Sequence, residues 1–466
     1  MSALAVTAVD LARLQFASTS LYHFLFVPLT LGMAPLVAVM QTLWYRSGDE
    51  AWLRLTRFFG TLMLINFAIG VATGLVQEFQ FGMNWSVYSK YVGDVFGAPL
   101  AIEGLAAFFL EATFLGIWIF GWDKLSRRVH LATVWLFAVG SWLSAFFIIV
   151  ANSWMQRPVG SAVVNGRAEL TNIWQLLTNR LAIWAYVHVM LVGLTTAAVV
   201  IFGVACWHLV RGRNEGMFVR AAKLALIVGI PVSALNLWWG SHLGIVITEY
   251  QPMKIAATEA LWNTEQPASF SLFQIGGFTK EDPTPRFSIE IPDLLSFLAT
   301  GSFHGKVQGI NELQAQEAAT FGPGDYTPPV EAVYWSMRVM AYAGTLVLMV
   351  LALGGWFLWR GSLARRRWFL WTGVLTIPLP YVAALAGWVL TELGRQPWIV
   401  WGLLKTADAN SPSVSTTTIV FSLGIFVLLY GALAVADAVL MRRYARLDPP
   451  EVGGRGDEMP LPTVSY

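Results

Sequence analysis

Long apolar runs recur along this chain, each closed by a short polar stretch. Nine are read, at 14–44, 58–78, 99–122, 131–154, 181–210, 222–247, 332–359, 368–392 and 416–441. Each reaches the roughly 20 residues that a helix needs to cross a bilayer core. The predicted fold is therefore an all-α polytopic membrane protein of about nine transmembrane helices. Residues 1–247 hold the first six spans and 332–441 the last three. Between them, residues 248–331 form one long hydrophilic loop. Loops of this length are usually functional or disordered. Its apolar islands, Phe270–Phe273 and Phe287–Phe297, predict order against the membrane face. Residues 442–466 are read as a disordered tail, rich in Pro, Gly and charge from Asp448 onward.

Composition agrees with a membrane chain. Charged residues are 12%, against about 25% in soluble domains. Hydrophobic residues are 56% and mean hydropathy is +0.58. The first run is too long for a cleavable signal peptide and lacks a small-residue cleavage site. Cys206 is the single cysteine, which excludes an internal disulfide and a cysteine-based metal cluster. A net charge of +2 implies no nucleic-acid partner. The 22 tryptophans exceed what interfacial belts need; packing against a large flat cofactor is the sharper reading.

Basic residues set the orientation. One set of short loops carries Arg46, Arg54 and Arg57; Lys124, Arg127 and Arg128; Arg211, Arg213, Arg220 and Lys223; Arg360 and Arg365 to Arg367; and Arg442, Arg443 and Arg446. The alternate loops are poorer. Nine spans then place the N-terminus outside, the C-terminus in the cytoplasm, and the long loop outside.

Several chemically unusual residues fall at one depth. Glu392 and Arg395 close the eighth run, three residues apart, just before Pro397. Ionisable groups at membrane depth are costly and mark functional sites. His23, Glu103, His188, Arg338 and Met340 lie near the same outer end of their own runs. At 1.5 Å rise per residue they share a layer about 10–15 Å thick. His, Met and carboxylate are side chains that hold haem iron, and a His–Met pair makes a six-coordinate electron-transfer haem. Arg338 and Arg395 suit propionates. Singly, each has a blander reading: a packing histidine, a core-filling methionine, a structural carboxylate. On these residues alone, a haem protein and a transporter with a polar pathway stand level. His130, His208 and His304 sit at loop or helix-end positions and receive no role. Glu103 and Glu111 lie eight apart on one helix, about 12 Å along its axis. They can pass protons through bridging waters, or they are two unrelated capped carboxylates.

Longer motifs carry a resemblance. They are Tyr22-His23-Phe24-Leu25-Phe26-Val27-Pro28-Leu29-Thr30, the stretches Gly70–Trp85 and Gly93–Glu111, Gly394-Arg395-Gln396-Pro397-Trp398, and Gln251-Pro252-Met253-Lys254 followed by Glu259. Over nearly its whole length the chain resembles subunit I of the cytochrome bd-type quinol oxidases. The resemblance implies a low-spin haem b, a high-spin haem b and a haem d. It implies His188 and Met340 as axial ligands of the low-spin haem with Arg338 beside it, and His23 and Glu392 serving the two haems of the oxygen site. It adds Glu103 near one of those haems, Arg395 and Trp388 among the cofactor-binding residues, Glu103 and Glu111 on the proton route, and Lys254 and Glu259 binding or deprotonating quinol. The Met253–Trp262 stretch reads helical, so Lys254 and Glu259 form a Lys–Glu pair near the membrane surface.

The implied partners are subunit II, a small single-span subunit, ubiquinol or menaquinol, O2 and membrane lipid. The implied location is the bacterial cytoplasmic membrane. The implied reaction is quinol oxidation at the outer face and O2 reduction to water, building proton-motive force without pumping. The chain departs from the family in places. The loop has no cysteine pair. Ser241 follows Gly240 where relatives often carry aspartate, with His242 or Glu249 as substitutes for proton exit. Leu385 stands where some members carry a carboxylate. Two other readings remain at this stage: a haem-free transporter, and a b-haem electron-input protein that binds no oxygen.

Overall fold

The computed structural model describes residues 7–451. Among the described residues, nine helical spans are long and apolar enough to cross a membrane. They are, in order, Ala8–Ser47, Glu50–Met83, Ser86–Phe120, Arg127–Gln156, Ile173–Val210, Glu215–Tyr250, Val330–Trp359, Arg367–Leu393 and Thr416–Tyr444. Eight contain one of the apolar runs whole, and the third span ends at Phe120, two residues before its run does. Short polar side chains set several starts: Asp49, Ser126, Asn179 and Ser415 each accept a hydrogen bond from a first-turn amide.

Four spans are irregular; the fifth is interrupted at Thr178–Asn179 near its start, and the other three irregularities have a cause in the sequence or lie at a candidate residue. The first breaks at Phe24–Leu25, directly after His23. Pro28 has no N–H for the Phe24 carbonyl and its ring crowds that carbonyl. The eighth breaks between Leu375 and Leu379, where Pro378 and Pro380 act in the same way. In the third, residues Glu103–Phe108 form a π-helical segment, a feature that appears mostly at functional sites.

The largest apolar core lies in the half of the bundle remote from the 248–331 loop. It joins Met33, Val37 and Met40 of the first span to Phe59 and Leu62 of the second, and to Phe202, Phe218, Leu351 and Phe369. Its closest backbone approach is between spans one and five. A Cβ built on Gly32 would stand 2.0 Å from the Gly193 carbonyl oxygen and 2.7 Å from Ala197 Cβ. His130 and His208 serve this half. His130 bonds Gln41 at 2.8 Å and the Trp118 carbonyl at 2.8 Å, and His208 bonds the Ala445 carbonyl at 3.0 Å.

The long loop is ordered, as its apolar islands predict. It holds helices Pro252–Thr258, Leu294–Thr300 and Ile310–Phe321, and an antiparallel hairpin of Phe270–Gly276 with Pro285–Ile291. The expected helix over Met253–Trp262 is shorter than read. It stops at Thr258, and Ala260 adopts φ 49°. The Arg338 guanidinium bonds the Thr258 carbonyl at the helix end, which satisfies a group that continued helix would otherwise use.

Two small hairpins, Ser161–Val164 with Arg167–Leu170 and Trp398–Val400 with Leu404–Lys405, were not anticipated in an all-α reading. The first carries an Asn165-Gly166 turn with both φ positive, the strongest short hairpin signal in sequence. The expected tail boundary at 442 also moves. The ninth span runs to Tyr444, Asn214 bonds Asp448 at 3.1 Å, and Arg54 donates to the Pro449 and Pro450 carbonyls. The remainder of the expected tail, residues 452–466, lies outside the described residues.

The Gly32–Gly193 crossing yields a direct test. Gly32→Ala places a methyl inside that contact and should destabilise the bundle by about 1–3 kcal/mol through overpacking. Thermal unfolding of purified protein in detergent measures it. An unchanged midpoint would show that spans one and five separate freely.

Candidate functional site

A cavity of about 850 Å³ opens in the half of the bundle nearer the loop. That is the upper part of the range of about 300–1,000 Å³ for small-molecule sites. His23, Glu103, Glu111, Trp388, Glu392 and Arg395 all line it. Of the seven residues read at one depth, His23, Glu103, Glu392 and Arg395 line it, joined by Glu111 and Trp388, while His188, Arg338 and Met340 do not.

His23 presents one defined nitrogen. Its Nδ1 lies 2.9 Å from Thr73 Oγ1. The Thr73 hydroxyl has a single hydrogen, and it is directed at the Ile69 and Gly70 carbonyls, 3.0 and 2.9 Å away. With that hydrogen on a carbonyl the threonine oxygen accepts from Nδ1–H, so the hydrogen-bond network assigns the tautomer in which Nε2 keeps its lone pair. Gly74 faces this ring; a Cβ there would sit 3.1 Å from His23 Cε1.

Glu103 begins the π-helical segment. Its Oε1 accepts from Ser144 Oγ at 2.8 Å, and its buried Oε2 has no protein partner. Glu111 packs where Gly140 of the fourth span leaves room, its Cγ 3.0 Å from the position of a Cβ there. The π turn alters the rotation between the two carboxylates from that of an unbroken α-helix, yet both reach the same cavity.

Glu392 is held from both sides. Arg395 donates to its Oε2, and Asn152 Nδ2 donates to its Oε1 at 2.9 Å. The chain of bonds continues outward: Gln156 Nε2 donates to Asn152 Oδ1 at 2.8 Å, and Lys254 Nζ donates to Gln156 Oε1 at 2.6 Å. A continuous series therefore links the loop lysine to the cavity carboxylate. Asn152 and Gln156 escaped the sequence reading. Their signal was present, as two amides four residues apart at the end of an apolar helix. Arg395 keeps its Nε and Nη1 buried without a protein partner, so part of its guanidinium remains for an anion.

His188 and Met340 lie outside the lining of this cavity. His188 has a buried Nδ1 without a partner. Gly240 of the sixth span faces its ring, with a built Cβ 3.1 Å from Cε1. Met340 meets the eighth span at Gly387, where a Cβ would stand 2.8 Å from Sδ. The sixth span bridges the two, because Leu237 also packs on Gly344 of the seventh. Asn236, one turn before Gly240, has an unpartnered buried oxygen and was also missed.

The loop residues are placed differently from the expectation. Lys254 and Glu259 are both buried, at 2% and 6% exposure, and do not pair with each other. Because the helix ends at Thr258, they take separate partners. Lys254 turns to Gln156 and crosses the end of the eighth span at Gly394, where a Cβ would clash at 2.6 Å from its Cγ. Burial, with the Arg395 charge nearby, pushes the lysine pKa down to about 7.

Glu259 ion-pairs with Arg338 at 2.7 Å and accepts from the Ser271 amide. Burial raises its carboxyl above the usual range, and the arginine opposes that shift. Arg338 also donates to the Thr258 and Ser271 carbonyls and stacks on Tyr334 at 3.7 Å. These bonds tie it to the loop. The two residues suggested for proton exit take separate local partners. His242 Nδ1 bonds the Trp238 carbonyl of its own helix, and Glu249 pairs with Arg180 at the surface.

With this geometry in hand, comparisons identify relatives. The chain matches the family described as cytochrome bd terminal oxidase subunit I over residues 11–449. It is 44% identical over 431 residues to cytochrome bd ubiquinol oxidase subunit 1 of Bacillus subtilis (strain 168), covering 91% of each chain. It is 37% identical over 499 residues to cytochrome bd-II ubiquinol oxidase subunit 1 of Escherichia coli (strain K12), covering 95% of this chain and 97% of that one. The structure of bd oxidase from Geobacillus thermodenitrificans superposes with a TM-score of 0.85 at 30% identity, covering 95% and 99% of the two chains.

The amide bridge is testable by itself. Asn152→Ala leaves Glu392 Oε1 and Gln156 Nε2 without partners inside the bundle. Each such loss costs about 1–3 kcal/mol, so the melting temperature should fall. A variant that melts like the parent would remove Asn152 from the support of Glu392.

Proposed function

The chain belongs to the cytochrome bd terminal oxidase subunit I family, and from that premise we propose that it is the haem-bearing subunit of a quinol oxidase that reduces O2 to water. It is a multi-pass membrane protein, and the bacterial relatives support a cytoplasmic membrane location. The carrying observation is the cavity that gathers His23, Glu103, Glu111, Glu392, Arg395 and Trp388.

The residues fit haem. His23 offers an unprotonated Nε2, and Glu392 offers a carboxylate braced by Asn152 and Arg395. Arg395 keeps two buried donors for a propionate. His188 and Met340 supply a His–Met pair on neighbouring spans, His188 with an orphaned nitrogen. We assign His188 and Met340 to a low-spin haem b, and His23 and Glu392 to the high-spin haem b and haem d. When bound, these groups supply the one-electron transfer and oxygen chemistry that no side chain of this chain performs.

The chain's own residues handle position and protons. Glu103, with one unpartnered oxygen, and Glu111 hold protons within reach of the cavity. The distribution of basic loops supports a cavity near the outer face. Protons drawn from the cytoplasm must therefore cross most of the bilayer, and this separates charge without a pump. Subunit II and a small single-span subunit are the expected partners and complete that path. At the loop, Glu259 accepts a quinol proton and Lys254 donates to a quinone oxygen. The pocket beside Lys254 holds about 10 Å³, room for about one water. A quinol, ubiquinol or menaquinol, reaches these groups only when the loop shifts.

A reduced-minus-oxidised spectrum of the purified protein tests the reading; absence of haem bands would overturn it. Because the two ligand sets occupy separate places, His188→Ala should remove the low-spin signal alone, and His23→Ala should spare it. For the loop, Glu259→Gln is the suitable change, since its amide oxygen can still accept from Arg338 while it removes the proton-accepting carboxylate, whereas Ala also removes the acceptor. It should cut quinol-driven oxygen uptake about 100-fold or more, the lower end of general-base effects. Uptake driven by an artificial donor that reduces the haems directly should persist. Equal quinol-driven uptake in both proteins would end the assignment of Glu259.

A further inference from the structure

The hairpin Phe270–Gly276/Pro285–Ile291 is inside out for a water-soluble element. Cross-strand partners share a face. Phe273 pairs with Ile289 and Ile275 with Phe287, and all four are exposed, Phe287 at 52% and Ile275 at 53%. Ile291 follows two residues after Ile289 and is also exposed, although its partner Phe270, beyond a bulge, is buried. The opposite face pairs Gln274 with Ser288 and Ser271 with Glu290. Its Ser271 and Gln274 are buried: Ser271 bonds Tyr334 at 2.8 Å and caps Glu259. An antiparallel sheet with one solvated face normally turns its polar side chains outward.

The hairpin is fastened along the seventh span. Tyr342 donates to the Leu272 carbonyl and Arg338 to the Ser271 carbonyl. Tyr342 lies twelve residues after Val330, about 18 Å along the helix. On that span Val339, Tyr342, Leu346, Met349, Leu353 and Trp356 are all exposed. Their spacing of three and four residues is a single helical stripe. Trp335 extends the stripe by one turn and meets Phe273 at 5.4 Å between ring centroids. The apolar face of the hairpin therefore continues a face that a membrane-spanning helix presents outward.

We propose that this hairpin lies in the membrane interface with Phe273, Ile275, Phe287 and Ile289 in contact with lipid, forming the lipid-side wall over the Glu259–Arg338 pair. It stays at the boundary and does not enter the hydrocarbon centre, because its outer strand edge needs water or headgroups for its hydrogen bonds. The contact does not depend on the reaction assigned above. It requires only that the seventh span crosses a bilayer.

Cys206 is fully buried, so single introduced cysteines carry the only accessible thiol. Positions 286 to 291 are each replaced by cysteine and labelled with an environment-sensitive fluorophore. The protein, with whatever subunits accompany it, is placed in nanodiscs containing brominated phosphatidylcholine. Lipid quenching at 287, 289 and 291 should exceed that at 286, 288 and 290 several-fold, and aqueous iodide should show the reverse alternation. Strong iodide quenching at 287 and 289 would mean a hydrated hairpin and overturn the proposal. Protection of those positions from both quenchers would mean a protein partner covers the face and would overturn it equally. A parent-like elution profile for each labelled variant establishes that the fold is intact.

Discussion

Charge placed inside an apolar bundle has to be answered by another charge, and two arginine–carboxylate pairs do this here. Arg338 with Glu259 and Arg395 with Glu392 are the short ion pairs whose guanidinium is almost wholly buried. Removing one member of such a pair costs about 3–5 kcal/mol. The two pairs are used differently. Arg338 gathers Thr258, Ser271 and Glu259 onto the seventh span, so the conformation of the loop around the candidate quinol residues depends on one side chain. Arg395 fixes Glu392 and still keeps two donors free. One arginine is structural glue for the loop. The other is suited to an anionic cofactor group.

The spans were legible because length and hydropathy report a local requirement: a helix crossing a bilayer must be apolar for its whole length. The convergence of His23, Glu103, Glu392 and Arg395 was legible for a related reason, since depth can be counted along each helix from its ends. Features that depend on two distant segments were not visible. The path Lys254–Gln156–Asn152–Glu392 joins three elements separated by about a hundred residues at each step or more. The separation of Lys254 from Glu259 follows from where a helix stops, and Arg338, some eighty residues away, sets that stop. The breaks at Phe24 and Leu375 were inferable from Pro28, Pro378 and Pro380, although composition read those runs as unbroken.

A shared device appears at the candidate ligands. Gly74 faces His23, Gly240 faces His188, and Gly387 faces Met340, each with room for a hydrogen and none for a methyl without displacement. A fourth, Gly394, admits the stem of Lys254. These side chains approach a neighbouring helix closely, and glycine is the residue that permits this. This pairing explains why glycine clusters around the motif residues although no turn requires it there. It also limits tolerance at the site: a methyl added at any of these positions pushes on a candidate side chain itself, whereas at Gly104 or Gly116, which face open space, it meets nothing. Sensitivity to alanine should thus follow the position of the neighbouring helix and not the presence of glycine in a motif.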